Sequence, residues 1–201
     1  MSGEKSNIET SLRRRMKLLR WTADEGLSQV REIAGELSKC LASGGAVFVC
    51  GNGGSASQAE HLAGELVGRF KKERDSLRVF ALTADSAVVT ALANDYGYDE
   101  VFSRQLNGMA RRGDCLLALS TSGESKNIVK ACETAKKKGA RVFALTGQGG
   151  GTVGAVSEAC LAVPDSDTAR IQEIHLLAIH LICQLVEESM TSPATSRSGN
   201  V

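Results

Sequence analysis

The stretch AVFVCGNGGSASQAEHLAGELVGRF, Ala46 to Phe70, passes through three kinds of sequence in quick succession. AVFVC (46–50) is a continuous apolar run, the pattern of a strand buried on both faces. GNGGSAS (51–57) is a glycine-rich turn, and from Ser57 to Arg69 the apolar residues recur at helical spacing. A strand, a glycine loop and a helix in that order set backbone N–H groups and the positive end of a helix dipole where an anion can be held. The loop is not GxGxxG and lacks the GK[ST] of a P-loop, so a nucleotide cofactor is not expected. Taken alone it is equally compatible with a tight connection.

Four more apolar runs follow: RVFAL (78–82), CLLALS (115–120), RVFALT (141–146) and ACLAVP (159–164). Between them lie helical patterns at Ser86–Asn94, Val101–Arg111 and Ser125–Lys138, with a weaker one at Gly151–Ser157. Alternation of this kind predicts an α/β fold, a doubly wound five-stranded parallel sheet flanked by helices. In such sheets ligands bind at the carboxyl ends of the strands, near the topological switch, so function is sought in the loops GNGGSAS, STSGES and GQGGG.

Ahead of the first strand, Ile8, Leu12, Met16 and Leu19 predict one helix. Leu27, Val30, Ile33, Leu37 and Leu41 predict a second, with Thr22 and Glu25 as a capping box between the two. Together they form a helical arm over about 5–43. The last helix, Thr168–Ser189, contains IHLLAIHLICQLV, apolar on nearly every face. A helix of that kind is buried all round, and in a chain this small a second copy most simply supplies the extra cover. A homo-oligomer is therefore expected, built on a single domain over 1–192 with a disordered tail at 193–201.

The 24 basic and 23 acidic residues nearly cancel and form no basic block, so neither nucleic acid nor a membrane surface is expected as a partner. The N-terminus has no apolar signal region and no run reaches the ~20 apolar residues of a membrane span. Six scattered cysteines without CxxC spacing read as buried free thiols. A reducing, cytoplasmic location follows.

The candidate chemistry lies in three places. STSGES sets the hydroxyls of Ser120, Thr121, Ser122 and Ser125 around one glycine at the end of a strand, which suits a phosphate monoester, although a single serine there would serve as a helix cap. His61 and Glu65 lie four apart and share a helix face. The final helix carries Gln172, His175 and His180, so all three histidines of the chain fall on two helices. Asp95, in ANDYG, reads by itself as a turn residue.

GNGGSA, HxxxE, STSGxS and RIQEIHxxxxH, in this order, resemble the sugar isomerase (SIS) domain family in its phosphoheptose isomerase branch, over nearly the whole chain. The resemblance implies a flavodoxin-like sheet, oligomerisation through the N-terminal helices, and a homotetramer with shared active sites. It also implies isomerisation of sedoheptulose 7-phosphate to D-glycero-D-manno-heptose 7-phosphate through an enediol, the first step toward ADP- or GDP-heptose for bacterial surface polysaccharide. Carried over residue by residue, Glu65 would be the base and His180 the acid. Asn52, Gly53, Gly54, Ser55, Arg69, Asn94, Asp95, Gln172 and the STSGES hydroxyls would hold the sugar phosphate. One zinc per subunit would be bound by His61, Glu65, Gln172 and His180. Many relatives place an acid directly before the arginine of RIQE, where this chain has Ala169 with Asp167 and Thr168 upstream, so the sugar contact that the resemblance implies at that position does not carry over residue by residue. Two rival readings are a non-catalytic SIS protein that associates with the replication initiator, a group that lacks the residues matching Glu65 and His180, and a module that only senses a sugar phosphate.

Overall fold

The computed structural model describes residues 2–191, and the tail 193–201 lies outside the described residues. Each of the five apolar runs forms a strand: β1 (Val47–Gly51), β2 (Val79–Ala81), β3 (Cys115–Ser120), β4 (Arg141–Thr146) and β5 (Ala159–Ala162). They make one parallel sheet in the order β2-β1-β3-β4-β5, with Val47 opposite both Val79 and Cys115. β1 and β3 lie inside the sheet and every residue of both is buried, whereas the edge strand β2 leaves Phe80 43% exposed. The chain enters the sheet at β1 and reverses direction between β1 and β3, which is the topological switch.

Alternate residues of the strands face two separate cores. On one side Val49, Leu117, Leu119, Phe143 and Leu145 pack against Ile33, Leu37, Leu62, Leu66, Ile179 and Ile182, which come from α2 (Leu27–Ala42), α3 (Gly54–Val67) and α8 (Thr168–Thr191). On the other, Phe48, Cys50, Leu116, Ala118 and Val142 meet Phe102, Leu106, Ile128, Ala131 and Cys132. Helices α5 (Ser103–Met109) and α6 (Lys126–Lys137) supply most of that second layer. α4 (Ser86–Tyr96) lies on the same side without burying any residue fully, and the short α7 (Gly151–Val156) precedes β5. All six cysteines are free thiols, five of them buried and Cys160 partly so.

The N-terminal arm departs from expectation. α1 (Ser2–Trp21) does not stop at Thr22 but runs through a π-helical turn, Thr22–Gly26, directly into α2. The capping box does not form: Trp21 is helical, and the Thr22 hydroxyl donates back to the Leu18 carbonyl at 2.8 Å. The wider turn brings Gly26 against the Trp21 ring and Leu161 of β5, where a Cβ would have only 3.2 Å to Leu161 Cδ1. Packing of that turn on the sheet overrides the local cap signal. α1 is anchored by Leu18 and Trp21 against Val163, Ile171 and Ile174, while the stripe Ile8, Leu12, Met16 and Leu19 stays at least half exposed.

α8 likewise is not buried all round within one chain. Leu177, Leu181 and Leu185 are only half-buried and Leu176 is exposed, while Ile171, Ile174, Ala178, Ile179, Ile182 and Val186 face the core. By length and composition α8 could cross a membrane. Its buried face, however, packs on α2 and α3 and includes His175 and Glu187, as a core helix does.

Candidate active site

Because α3 leaves β1 toward one face of the sheet and α6 leaves β3 toward the other, a crevice opens between the ends of β1 and β3. Two amides close its floor. Asn52 Nδ2 donates to Asn127 Oδ1 (2.9 Å) while Asn127 Nδ2 donates to Asn52 Oδ1 (2.8 Å), and the Tyr98 hydroxyl donates to Asn52 Oδ1 at 3.0 Å. Asn52 is thus held in one orientation at the start of the GNGGSA turn. Beyond it Gly53 and Gly54 are exposed and Ser55 is buried at the first turn of α3.

The STSGES loop stands on the other side of the crevice. Gly123 N–H donates to Ser120 Oγ (3.1 Å), Glu124 N–H to Ser122 Oγ (3.1 Å), and the Ser120 and Ser125 hydroxyls lie 3.3 Å apart. Ser125 occupies the position before α6 without making a side-chain cap bond, so helix capping does not account for its hydroxyl. The loop interlocks with GQGGG: a Cβ on Gly147 would lie 2.3 Å from the Thr121 carbonyl, and one on Gly123, at φ +69°, would lie 2.2 Å from the Gly150 carbonyl. Glu124 completes the lock by accepting from Thr152 N–H (2.9 Å) and Thr152 Oγ1 (2.7 Å). Gly147 and Gly151 of GQGGG, together with Gly123, therefore act by close packing that fixes the shape of the serine loop.

Two helical turns along α3, the acid–base candidates meet. His61 Nε2 lies 2.8 Å from His180 Nε2 on α8 and 3.6 Å from Glu65 Oε1, and the two imidazole rings cross edge-on at 74°. Phe70, just past the end of α3, stacks on the other side of His180 with 5.9 Å between ring centroids. All three polar groups keep some exposure. The third histidine is different: His175 is fully buried, its Nε2–H donates to the Thr146 carbonyl at 3.0 Å, and its Nδ1 has no hydrogen-bond partner among the described residues. Burial depresses its pKa to about 4, so it is a neutral core group.

Not every residue singled out in the sequence joins these clusters. The Gln172 amide lies against Gly54, within 2.7 Å of where a Cβ would sit, and Gly54 precedes His61 by about 10 Å along the helix axis. Arg69 is exposed and pairs with Glu73 at 3.7 Å. The Asn94 amide donates to Asp95 Oδ1 (2.8 Å) at the exposed end of α4. Two imidazoles and a carboxylate are a donor set that suits zinc in chemistry. As placed, the imidazoles bond to each other, and among the described residues no three His, Cys, Asp or Glu side chains surround a common point.

Asn127 and Phe70 were missed. Asn127 sits two positions beyond Ser125, in the first turn of the helix that the serine loop opens, and that position was the available signal. Phe70 had none, because its partner is 110 residues away in sequence.

A profile of the SIS domain family matches residues 12–147. A phosphoheptose isomerase from Akkermansia muciniphila is 50% identical over 161 residues, which is 80% of this chain and 85% of that one. Solved structures of phosphoheptose isomerases from Francisella tularensis and Neisseria gonorrhoeae superpose with TM-scores of 0.88 and 0.85 at 34% and 35% identity. Each covers 92% of this chain and 98% of its own. With its sheet order, its two strand-end loops and its histidine–glutamate cluster, this chain belongs to the SIS domain family.

Proposed function

We propose that this protein is a phosphoheptose isomerase, converting sedoheptulose 7-phosphate to D-glycero-D-manno-heptose 7-phosphate. The observation that carries the reading is the meeting of Glu65, His61 and His180 from two helices at the surface of a phosphate-binding type of fold. An aldose–ketose isomerase needs one group that moves a proton between carbons and one that moves a proton between oxygens. The Glu65 carboxylate takes the proton from C1 of the ketose and returns it to C2 of the resulting enediol. The His180 imidazole receives the O1 proton and delivers one to O2, which leaves the aldehyde at C1. Stacking on Phe70 holds the His180 ring for this exchange.

The serine loop and the first turn of α3 would hold the phosphate through hydroxyls and backbone N–H groups. Zinc would be held by His61, Glu65 and His180, with Gln172 joining once its side chain swings off Gly54, and when bound it supplies Lewis-acid polarisation of the carbonyl. Exposed Ile8, Leu12, Met16 and Leu19, together with half-buried Leu177, Leu181 and Leu185, support burial against further copies in a tetramer. In that assembly Arg69, Asn94 and Asp95 would reach the sugar of a neighbouring subunit. A cytoplasmic site of action fits the free cysteines.

The test is incubation of purified protein with sedoheptulose 7-phosphate, with fructose 6-phosphate as the six-carbon control, watching for aldose anomeric signals by NMR. Aldose from the seven-carbon ketose alone is expected. Equal conversion of both would refute the chain-length assignment, and conversion of neither would refute the activity.

A further inference from the structure

A charged side chain on the buried face of a helix needs partners, and Glu187 of α8 is only 2% exposed. Its carboxylate accepts three consecutive backbone N–H groups, from Phe70 (2.9 Å), Lys71 (2.8 Å) and Lys72 (2.9 Å). Arg74, whose side chain is 4% exposed, approaches it through Nε at 3.6 Å. The same guanidinium donates from Nη2 to the Glu65 carbonyl (3.0 Å) and from Nη1 to the carbonyls of Gly68 (3.1 Å) and Asp75 (2.9 Å). The Glu65 and Gly68 carbonyls belong to the end of α3, where a helix leaves acceptors unpaired and favours a cation.

The segment from Gly68 to Asp75 is therefore fastened at one side to the backbone of Glu65 and at the other to α8, two turns beyond His180. Near its start Phe70 presses on the His180 ring. Burial, the largest influence on Glu187, pushes its pKa up, yet the three N–H donors and Arg74 together outweigh it and hold the carboxyl below its ordinary value. The carboxylate thus stays charged at neutral pH.

We propose that Glu187 and Arg74 are positioning residues that fix Glu65 and His180 relative to each other, by clamping onto α8 the segment that carries Phe70 against the His180 ring. The proposal rests on the reading that Glu65 and His180 exchange protons with substrate. Small displacements of such a pair cost rate steeply, while phosphate binding at the strand ends is left intact.

The test uses Glu187→Gln in the full-length protein, with two readouts. The first is the division between kcat and KM: kcat is expected to fall at least about tenfold with KM within about threefold of wild type. The second is independent of turnover. The chain has three histidines, so each Cε1 resonance can be assigned by substitution. The His180 resonance should move in Glu187→Gln, and that of His175, buried against Thr146, should not. Should Glu187→Gln fail to fold, Arg74→Lys, which keeps the positive charge beside Glu187 but cannot hold the three carbonyls of Glu65, Gly68 and Asp75 together, must give the same two results. A kcat within twofold of wild type, or a loss of kcat with the His180 resonance unmoved, overturns the proposal. A wild-type protein inactive on sedoheptulose 7-phosphate would defeat the isomerase reading alone, and the His180 resonance would then decide the clamp by itself.

Discussion

Acidification from about pH 7.5 to about pH 4.5 should weaken this protein through His175 specifically. The side chain is fully buried, its Nε2–H is committed to the Thr146 carbonyl, and a second proton on Nδ1 would find no acceptor among the described residues. Burial lowers its pKa from 6.5 to about 4. The folded state therefore disfavours the charged form, and its contribution to stability is complete above pH 6.5 and lost as pH falls from there to about 4. At about pH 4.5 the unfolded histidine is almost fully protonated and the folded one mostly is not, a difference on the order of 2 to 3 kcal/mol. The assay is urea denaturation at both pH values and one fixed protomer concentration, for wild type and for His175→Gln, which keeps a donor for Thr146 but does not titrate. Every other titratable group is common to both proteins. Wild type should lose roughly 2 to 3 kcal/mol more than the variant, and an equal loss in the two would refute the reasoning.

Other expectations concern the site. Glu65→Gln and His180→Gln should each lower turnover by about 10² to 10⁴ while the protein stays folded by circular dichroism, and more than about a tenth of wild-type rate in either would remove that residue from proton transfer. Replacing Ser120, Thr121 and Ser122 together by alanine should raise KM far more than it lowers kcat, because the phosphate is remote from C1 and C2; steady-state kinetics showing an unchanged KM would take the loop out of phosphate binding. The mass in solution should be that of a tetramer, and a monomeric mass would reject the assembly. If Glu65 and His180 work from different subunits, mixing the two inactive variants under subunit exchange restores activity, whereas the 2.8 Å contact between His61 and His180 within one chain predicts no rescue.

The parallel sheet was legible because strands covered on both faces carry no alternation: CLLAL of CLLALS and VFAL of RVFALT are unbroken apolar runs, and both fold as interior strands. STSGES and HxxxE were legible for a related reason, since their residues are neighbours in sequence and local geometry alone sets them together. Contacts that depend on packing between distant segments were not. Thr22 and Glu25 satisfy a capping pattern, yet a threonine can also bond back within a continuing helix, and docking of Trp21 and Gly26 on the sheet decided the outcome. The eight-residue spacing of Gln172 and His180 gave no hint that one would rest on Gly54 and the other on His61. Nothing in the sequence marked Glu187, whose three N–H partners lie more than a hundred residues earlier.

The central claim is that Glu65 enolises a seven-carbon ketose phosphate, and conversion in heavy water tests it most directly. Sedoheptulose 7-phosphate incubated with the wild-type protein should yield an aldose phosphate carrying deuterium at C2, with Glu65→Gln giving neither product nor exchange. Recovery of the ketose unchanged, with no deuterium at C1, would contradict the account.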